Sequence, residues 1–139
     1  MKISAKAEYA CLAVMAIARQ GPESPPVHIR AISEAYRIPE RYLVQILLQL
    51  KGAGLVLSTR GASGGYRLAR PAGSISLGEV LSAIDGPEIA VRVPHASGRP
   101  MAAVLESVWD RVEAAERAVL DRTTIADLAA QCAAPEWTI

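Results

Sequence analysis

Two short amphipathic segments, joined by a tight connection and followed at once by a glycine-rich hairpin, constrain the fold of this chain more than any other feature. Residues 27–35 and 39–50 carry apolar side chains at helical spacing, and Pro39 is placed in the first turn of the second segment. Two runs of strand-forming residues, 55–59 and 66–69, flank a turn with three glycines. A helix, a turn, a helix and a hairpin follow one another in this order in a winged helix-turn-helix.

Other helices are expected before and after this unit. The pattern over residues 4–19 predicts a largely buried first helix with Ser4 as its N-cap. The capping-box spacing at 76–79 opens another helix, and a last short helix runs from Thr124 to near Ala134. The predicted fold class is therefore mainly α, with one small β-hairpin.

A long amphipathic helix is expected near the C-terminus. Its apolar residues recur at alternating three- and four-residue steps over some twenty positions, which makes a helix about 30 Å long. Such a helix has more apolar surface than it can hide alone, so dimerisation is favoured over packing on its own domain, with Trp109 as an anchor. The remaining apolar positions are Met101, Val104, Leu105, Val108, Val112, Ala115 and Val119.

These elements divide the chain into three parts. Residues 1–85 are predicted to form a winged helix-turn-helix DNA-binding domain. Residues 86–100 form a connector, because they combine prolines and glycines with no clear periodicity. Residues 101–139 hold the dimerisation helix and the short C-terminal helix.

The charge distribution favours a polyanionic partner for the first half of the chain. Residues 1–70 hold ten Lys and Arg against four acids, whereas residues 71–139 hold five Arg against ten acids. A basic half joined to an acidic half is typical of a nucleic-acid-binding module attached to another unit. Arg60 in the hairpin can reach a minor groove. Arg41 and Gln45 on the second short helix can read guanine and adenine in the major groove.

Other classes of protein find little support in the sequence. His28 and His95 have no Cys or carboxylate spaced as in a triad or metal motif, so no catalytic or metal-binding residue is predicted and the chain is not expected to be an enzyme. No apolar run reaches the roughly 18 residues of a membrane span. The apolar run 9–18 follows two lysines as in a secretion signal, but Glu8 interrupts that charge pattern, and a cytoplasmic location is expected.

Several motifs along the chain carry a resemblance to a known family. They are Lys2-Ile3-Ser4-x-Lys6-Ala7-x-Tyr9-Ala10, Tyr42-Leu43-x-Gln45-Ile46-Leu47-x-x-Leu50, Ala53-Gly54-Leu55-Val56, Arg60-Gly61-x-x-Gly64-Gly65-Tyr66-x-Leu68, Ser76-Leu77-Gly78-Glu79-Val80 and Thr124-x-Ala126-Asp127-Leu128. Together they cover nearly the whole chain. They resemble the Rrf-two (Rrf2) family of bacterial winged-helix transcription regulators, whose members include IscR-like, NsrR-like, RirA-like and CymR-like proteins. The resemblance implies a homodimeric repressor that binds a palindromic operator in double-stranded DNA.

The resemblance also implies which residues face DNA. Two positions depart from the family pattern: Pro39 stands where a capping Ser is common, and Val44 stands where sensor members often carry Glu. Pro39 lacks a hydroxyl that could bind phosphate, and Val44 is expected to change the base preference. The implied contacts are Pro39, Arg41, Tyr42 and Gln45 from the recognition helix, and Thr59, Arg60, Ser63, Gly64 and Gly65 from the wing.

Many members of the family bind an iron–sulfur cluster through three cysteines between the fourth and fifth helices. Residues 88–109 of this chain contain no cysteine, and Ala103 and approximately Ser97 stand where two ligands are expected. Iron–sulfur centres require the charge and softness of thiolates, so Glu8 and His95 alone would make a poor site. We therefore expect no cofactor.

Two alternatives remain open at this point. One is a cluster-free regulator that responds to a small metabolite or a partner protein, as CymR-like relatives do, with the ligand at the junction of the dimerisation helix and the winged domain. The other is a helical adaptor that binds proteins and no DNA. Failure to bind any genomic DNA fragment, even at low salt, would favour the adaptor.

Overall fold

A computed structural model describes residues 1–62, 64–86 and 100–132. The predicted architecture is confirmed, because these residues form a mainly helical winged helix-turn-helix with a long helix near the C-terminus. The elements in chain order are α1 (Ala5–Arg19), α2 (Ile29–Tyr36), α3 (Glu40–Gly52), β1 (Val56–Thr59), β2 (Gly65–Leu68), α4 (Leu77–Asp85), α5 (Pro100–Arg122) and α6 (Ile125–Gln131), with a 3-10 turn at Ala72–Ser74.

Most of the predicted connector, with His95 and Ser97, lies outside the described residues. Helix α6 ends at Gln131, earlier than the end expected near Ala134, because Cys132 already has the non-helical backbone of a C-cap. Within the described part of the chain, no helix has the length and apolar character needed to cross a membrane.

Helix α1 forms the centre of the hydrophobic core. Its N-cap is confirmed, since the Ser4 hydroxyl accepts a hydrogen bond from the Ala7 backbone N–H at 3.0 Å. The same hydroxyl donates to the Asp85 carboxylate at 2.9 Å and so ties the start of α1 to the end of α4. Small buried side chains such as Ala10 and Ala13 allow α3, α4 and α6 to pack against α1 at once.

Helices α2 and α3 form the helix-turn-helix. Arg37 ends α2 in the left-handed conformation, with φ of 54°, and the buried Ile38 fills the corner between the helices. Pro39 is the N-cap of α3 rather than a first-turn residue, because its ψ of 128° is not helical while its carbonyl accepts a hydrogen bond from the Leu43 N–H at 3.1 Å. The apolar stripe of α3 is buried as predicted: it consists of Leu43, Ile46, Leu47 and Leu50.

Strands β1 and β2 form the predicted antiparallel hairpin, in which Val56 pairs with Leu68 and Thr59 with Gly65. Val27, expected at the start of α2, lies before that helix and pairs with Tyr66 of β2 instead. The Val27 N–H donates to the Tyr66 carbonyl at 2.9 Å, and the Tyr66 N–H donates to the Val27 carbonyl at 2.8 Å. The loop before α2 is therefore joined to the wing by a single antiparallel bridge.

Main-chain hydrogen bonds join the start of α4 to the turn between α5 and α6. The Leu77 N–H donates to the Thr123 carbonyl at 2.8 Å, and the Ile125 N–H donates to the Ile75 carbonyl at 2.9 Å. Thr124 and Asp127 form a complete capping box at the start of α6. Because Ile125 is fully buried and α6 packs on α1, α6 belongs to the core of the winged domain.

Candidate nucleic-acid interface and dimer surface

The outer face of α3 is free of contacts with the core. Arg41, Tyr42, Val44 and Gln45 are all exposed there, opposite the buried stripe. The Arg41 guanidinium lies over the Tyr42 ring, 5.3 Å from its centroid, in a cation–π contact that restricts both side chains. This face presents a cation and an amide on one rigid helix, as major-groove recognition of bases requires.

The wing is fastened to α3. The Lys51 ammonium near the end of α3 donates a hydrogen bond to the Ser58 hydroxyl of β1 at 2.8 Å. Beyond Ser58, Thr59 and Arg60 are exposed at the end of the strand. A side-chain hydrogen bond therefore joins the recognition helix to the wing, and both elements carry exposed cations: Arg41, Lys51 and Arg60.

The wing glycines have a structural reason for their lack of a side chain. A Cβ on Gly64, which is buried, would lie 2.3 Å from the Thr59 carbonyl oxygen. A Cβ on Gly65, whose φ is 155°, would lie 2.5 Å from the carbonyl oxygen of Val27. Both distances are far below van der Waals contact, so only glycine fits where the hairpin closes on itself and on the loop before α2.

Six of the residues implied to contact DNA are exposed: Pro39, Arg41, Tyr42, Gln45, Thr59 and Arg60. Gly64 is buried and Gly65 is half-buried. Because glycine has no side chain, any contact that either residue makes with a phosphate would use main-chain atoms. Ser63 lies outside the described residues. Contact of these residues with DNA stays a prediction.

Sequence reasoning missed one component of this surface. Leu48 of α3 is 58% exposed, on the same outer face as Arg41 and Val44. Its position could have been found from the helical period, because residue 48 follows 41 and 44 at steps of seven and four and lies off the buried stripe.

Helix α5 carries the second candidate surface. Along this helix, all of which the structure describes, no residue is buried. The residues predicted for dimerisation form a stripe of exposed or half-buried side chains: Met101, Val104, Leu105, Val108, Trp109, Val112, Ala115 and Val119. Met101 is 86% exposed and Trp109 is 46% exposed, an unusual state for such large apolar side chains.

The cysteines do not fit an iron–sulfur cluster. Cys11 is half-buried in α1, where burial and, secondarily, the Glu8 carboxylate raise the pKa of its thiol to about 11. Cys132 is exposed beyond α6, and Ala103 has no side-chain donor atom. Among residues 1–62, 64–86 and 100–132, no three His, Cys, Asp or Glu side chains form a metal-binding group.

Comparison with known proteins identifies the family. Residues 3–131 match the model of the Rrf2 family, described as an iron-dependent transcriptional regulator. The chain belongs to the Rrf2 family. A Mycobacterium tuberculosis protein that carries the name of an HTH-type transcriptional regulator is 41% identical over 132 residues, which cover 93% of this chain and 81% of the relative. The regulator CymR of Bacillus subtilis is 35% identical over 93% of this chain and 90% of its own.

Solved structures agree with this assignment to the Rrf2 family. The structure of B. subtilis CymR, titled as the global cysteine regulator, superimposes with a TM-score of 0.85 at 34% identity, over 94% of this chain and 98% of CymR. The IscR of T. potens superimposes with a TM-score of 0.77 at 32% identity, over the full length of this chain and 92% of that protein. The motif-based resemblance is confirmed, and the Rrf2 chain is a DNA-binding transcriptional regulator.

Proposed function

We propose that this Rrf2-family regulator binds a palindromic operator as a homodimer and represses transcription, in the cytoplasm where bacterial DNA lies. The observation that carries the proposal is the pair of exposed, cation-bearing elements, α3 and the wing, joined by the hydrogen bond between Lys51 and Ser58. Helix α3 enters a major groove, where Arg41 and Gln45 reach guanine and adenine. Arg60 at the wing reaches the flanking minor groove.

The apolar stripe of α5 supports the homodimer. A second copy of the same helix would cover it by a two-fold contact, which is the commonest way in which identical chains associate. A dimer also places two α3 helices on one face, as a palindromic operator requires. We assign no enzymatic activity to the chain.

Selecting bound fragments from genomic DNA tests the proposal directly, and replacing Arg60 with alanine tests the role of the wing. Arg60→Ala is expected to weaken operator binding by about 1–3 kcal/mol and to make binding less dependent on salt, because one cation leaves the DNA surface. Titrations by mobility shift at several salt concentrations measure both effects.

Arg111→Ala is the matched control for this test. It removes the same charge from an exposed position on α5, outside both α3 and the wing. An unchanged operator affinity in Arg60→Ala, or an equal loss in both variants, would contradict the assignment of the wing.

We infer further that the regulator works without an iron–sulfur cluster. The support is the donor set: the chain has two cysteines, Cys11 and Cys132, none in residues 88–109, and an alanine at position 103. Protein purified without oxygen is expected to show no broad visible absorption band and no stoichiometric iron or sulfide. A cluster band that disappears in air, with iron and sulfide in equal amounts, would overturn this inference.

A second candidate function is regulation by a small metabolite or a partner protein. An open cleft of about 730 Å³ lies between the winged domain and α5, at the junction where this alternative would place a ligand. Leu81 and Ser82 of α4 face Arg117 and Leu120 of α5 across it. Because a ligand of the folded state raises the melting temperature, thermal unfolding with candidate metabolites separates this function from constitutive repression. The family membership argues against the adaptor that binds no DNA.

A further inference from the structure

The outer face of α3 contains two apolar side chains that no part of the described protein covers. Val44 is 42% exposed and Leu48 is 58% exposed. At about 100° per residue, Leu48 lies about 40° from Val44 and about 20° from Arg41 around the helix axis, so the two apolar side chains adjoin on one side of the exposed face. We refer to Val44 and Leu48 together as the apolar ridge.

The apolar ridge lies on the wing side of α3. Val44, Leu48 and Lys51 follow one another at i, i+4 and i+7 and share one flank of the helix. Lys51 on this flank is bonded to Ser58 of β1 at 2.8 Å. On the other flank, Gln49 donates to the Ile84 carbonyl at 3.5 Å and faces α4. The ridge therefore occupies the part of α3 between the Arg41–Gln45 pair and the basic wing.

Neither side chain of the ridge can form a hydrogen bond with a base edge. In the major groove, the one apolar group that a base presents is the C5-methyl of thymine. The position is suitable, since Val44 lies about 6 Å along the axis from the start of α3, and the N-terminal part of a recognition helix approaches the bases. A protein partner is less suited, because the surface area of two side chains is far smaller than the roughly 800 Å² that each side of a stable protein interface buries.

We infer that the apolar ridge contacts thymine methyl groups in each operator half-site and so sets part of the base preference. The inference rests on the proposed binding of α3 in the major groove. It assigns Arg41 and Gln45 to hydrogen-bonded bases and Val44 and Leu48 to adjacent thymines. Burial of one methyl-sized group corresponds to about a fourfold change in affinity.

The experiment uses an operator selected from random DNA by the full-length protein. Each thymine is replaced in turn by deoxyuridine, which deletes the methyl group and leaves every hydrogen-bonding atom in place. Wild-type protein is expected to lose about fourfold in affinity at one or two thymines of each half-site. At one of these positions, the Val44→Ala or Leu48→Ala variant is expected to bind the operator with thymine and the operator with deoxyuridine with equal affinity.

Gln45→Ala is the matched control on the same helix face. It is expected to weaken binding to both forms and to keep the thymine-to-uracil ratio at the ridge positions, because it removes a hydrogen bond and no methyl contact. If the protein selects no DNA sequence, the proposed function fails. If it selects an operator but no thymine methyl matters, or the ratio is the same in wild type and both ridge variants, the inference alone fails.

Discussion

Replacing Val112 with aspartate is expected to dissociate the proposed homodimer and to weaken operator binding by about a hundredfold or more. Val112 lies within the apolar stripe of α5 and is 46% exposed in the single chain. A carboxylate there would be buried beside its own symmetry mate and would lose its hydration without an opposite charge. Each monomer would then bind a half-site alone, without the higher affinity that comes from linking two binding sites in one molecule. Sedimentation and mobility-shift titration measure the two effects.

Ala114→Asp provides the matched control on the same helix. Ala114 is exposed, and it lies about 200° around the axis from Val112, away from the stripe. This variant adds the same charge and is expected to remain dimeric with wild-type affinity. A Val112→Asp protein that stays dimeric at micromolar concentration would show that α5 does not form the interface.

The second large effect is expected at Gly65, where alanine should lower the free energy of unfolding by about 2–4 kcal/mol, through backbone strain and steric overlap together. The added Cβ would lie 2.5 Å from the carbonyl oxygen of Val27 and 2.7 Å from its carbon, so the main chain itself must move. The wing would separate from the loop before α2, and operator affinity would fall as well. Urea unfolding monitored by circular dichroism gives the change in stability.

Gly52→Ala serves as the comparison for this substitution. Gly52 ends α3, and a Cβ added there would have no heavy atom within 4 Å beyond its own helix backbone and chain neighbours. Alanine is therefore expected to be neutral or stabilising by up to about 1 kcal/mol. Equal stability of Gly65→Ala and wild type would refute the steric argument and leave close approach to DNA as the reason for the glycine.

Local patterns predicted the elements of this fold well. The buried stripe of α3 follows from apolar spacing alone, and the caps at Ser4 and Thr124 follow from residue type and position. The hairpin follows from two strand-forming runs around glycines. These features depend on neighbours within a few residues, which a sequence displays directly.

Contacts between distant segments could not be predicted in the same way. Nothing near Val27 indicates that its partner is Tyr66, and the steric reason for Gly65 appears only once that pairing is known. Sequence order likewise groups the short helix after α5 with the dimerisation helix, whereas Ile125 is buried and α6 packs on α1. A search for base contacts among exposed polar residues overlooks Leu48, because its side chain is apolar.

The main-chain pairing of residues 75–77 with 123–125 has a consequence for how such a dimer measures DNA. It joins the C-terminal end of α5 to the winged domain, which contains α3, through main-chain hydrogen bonds that do not depend on side-chain identity. In the proposed homodimer, the angle between the two α5 helices would therefore set the separation of the two α3 helices, which must match about 34 Å, one helical turn of the duplex, or a multiple of it. The spacing of the operator half-sites would then depend on this main-chain pairing, and the base preference would depend on α3. Substitutions could therefore change one property without changing the other.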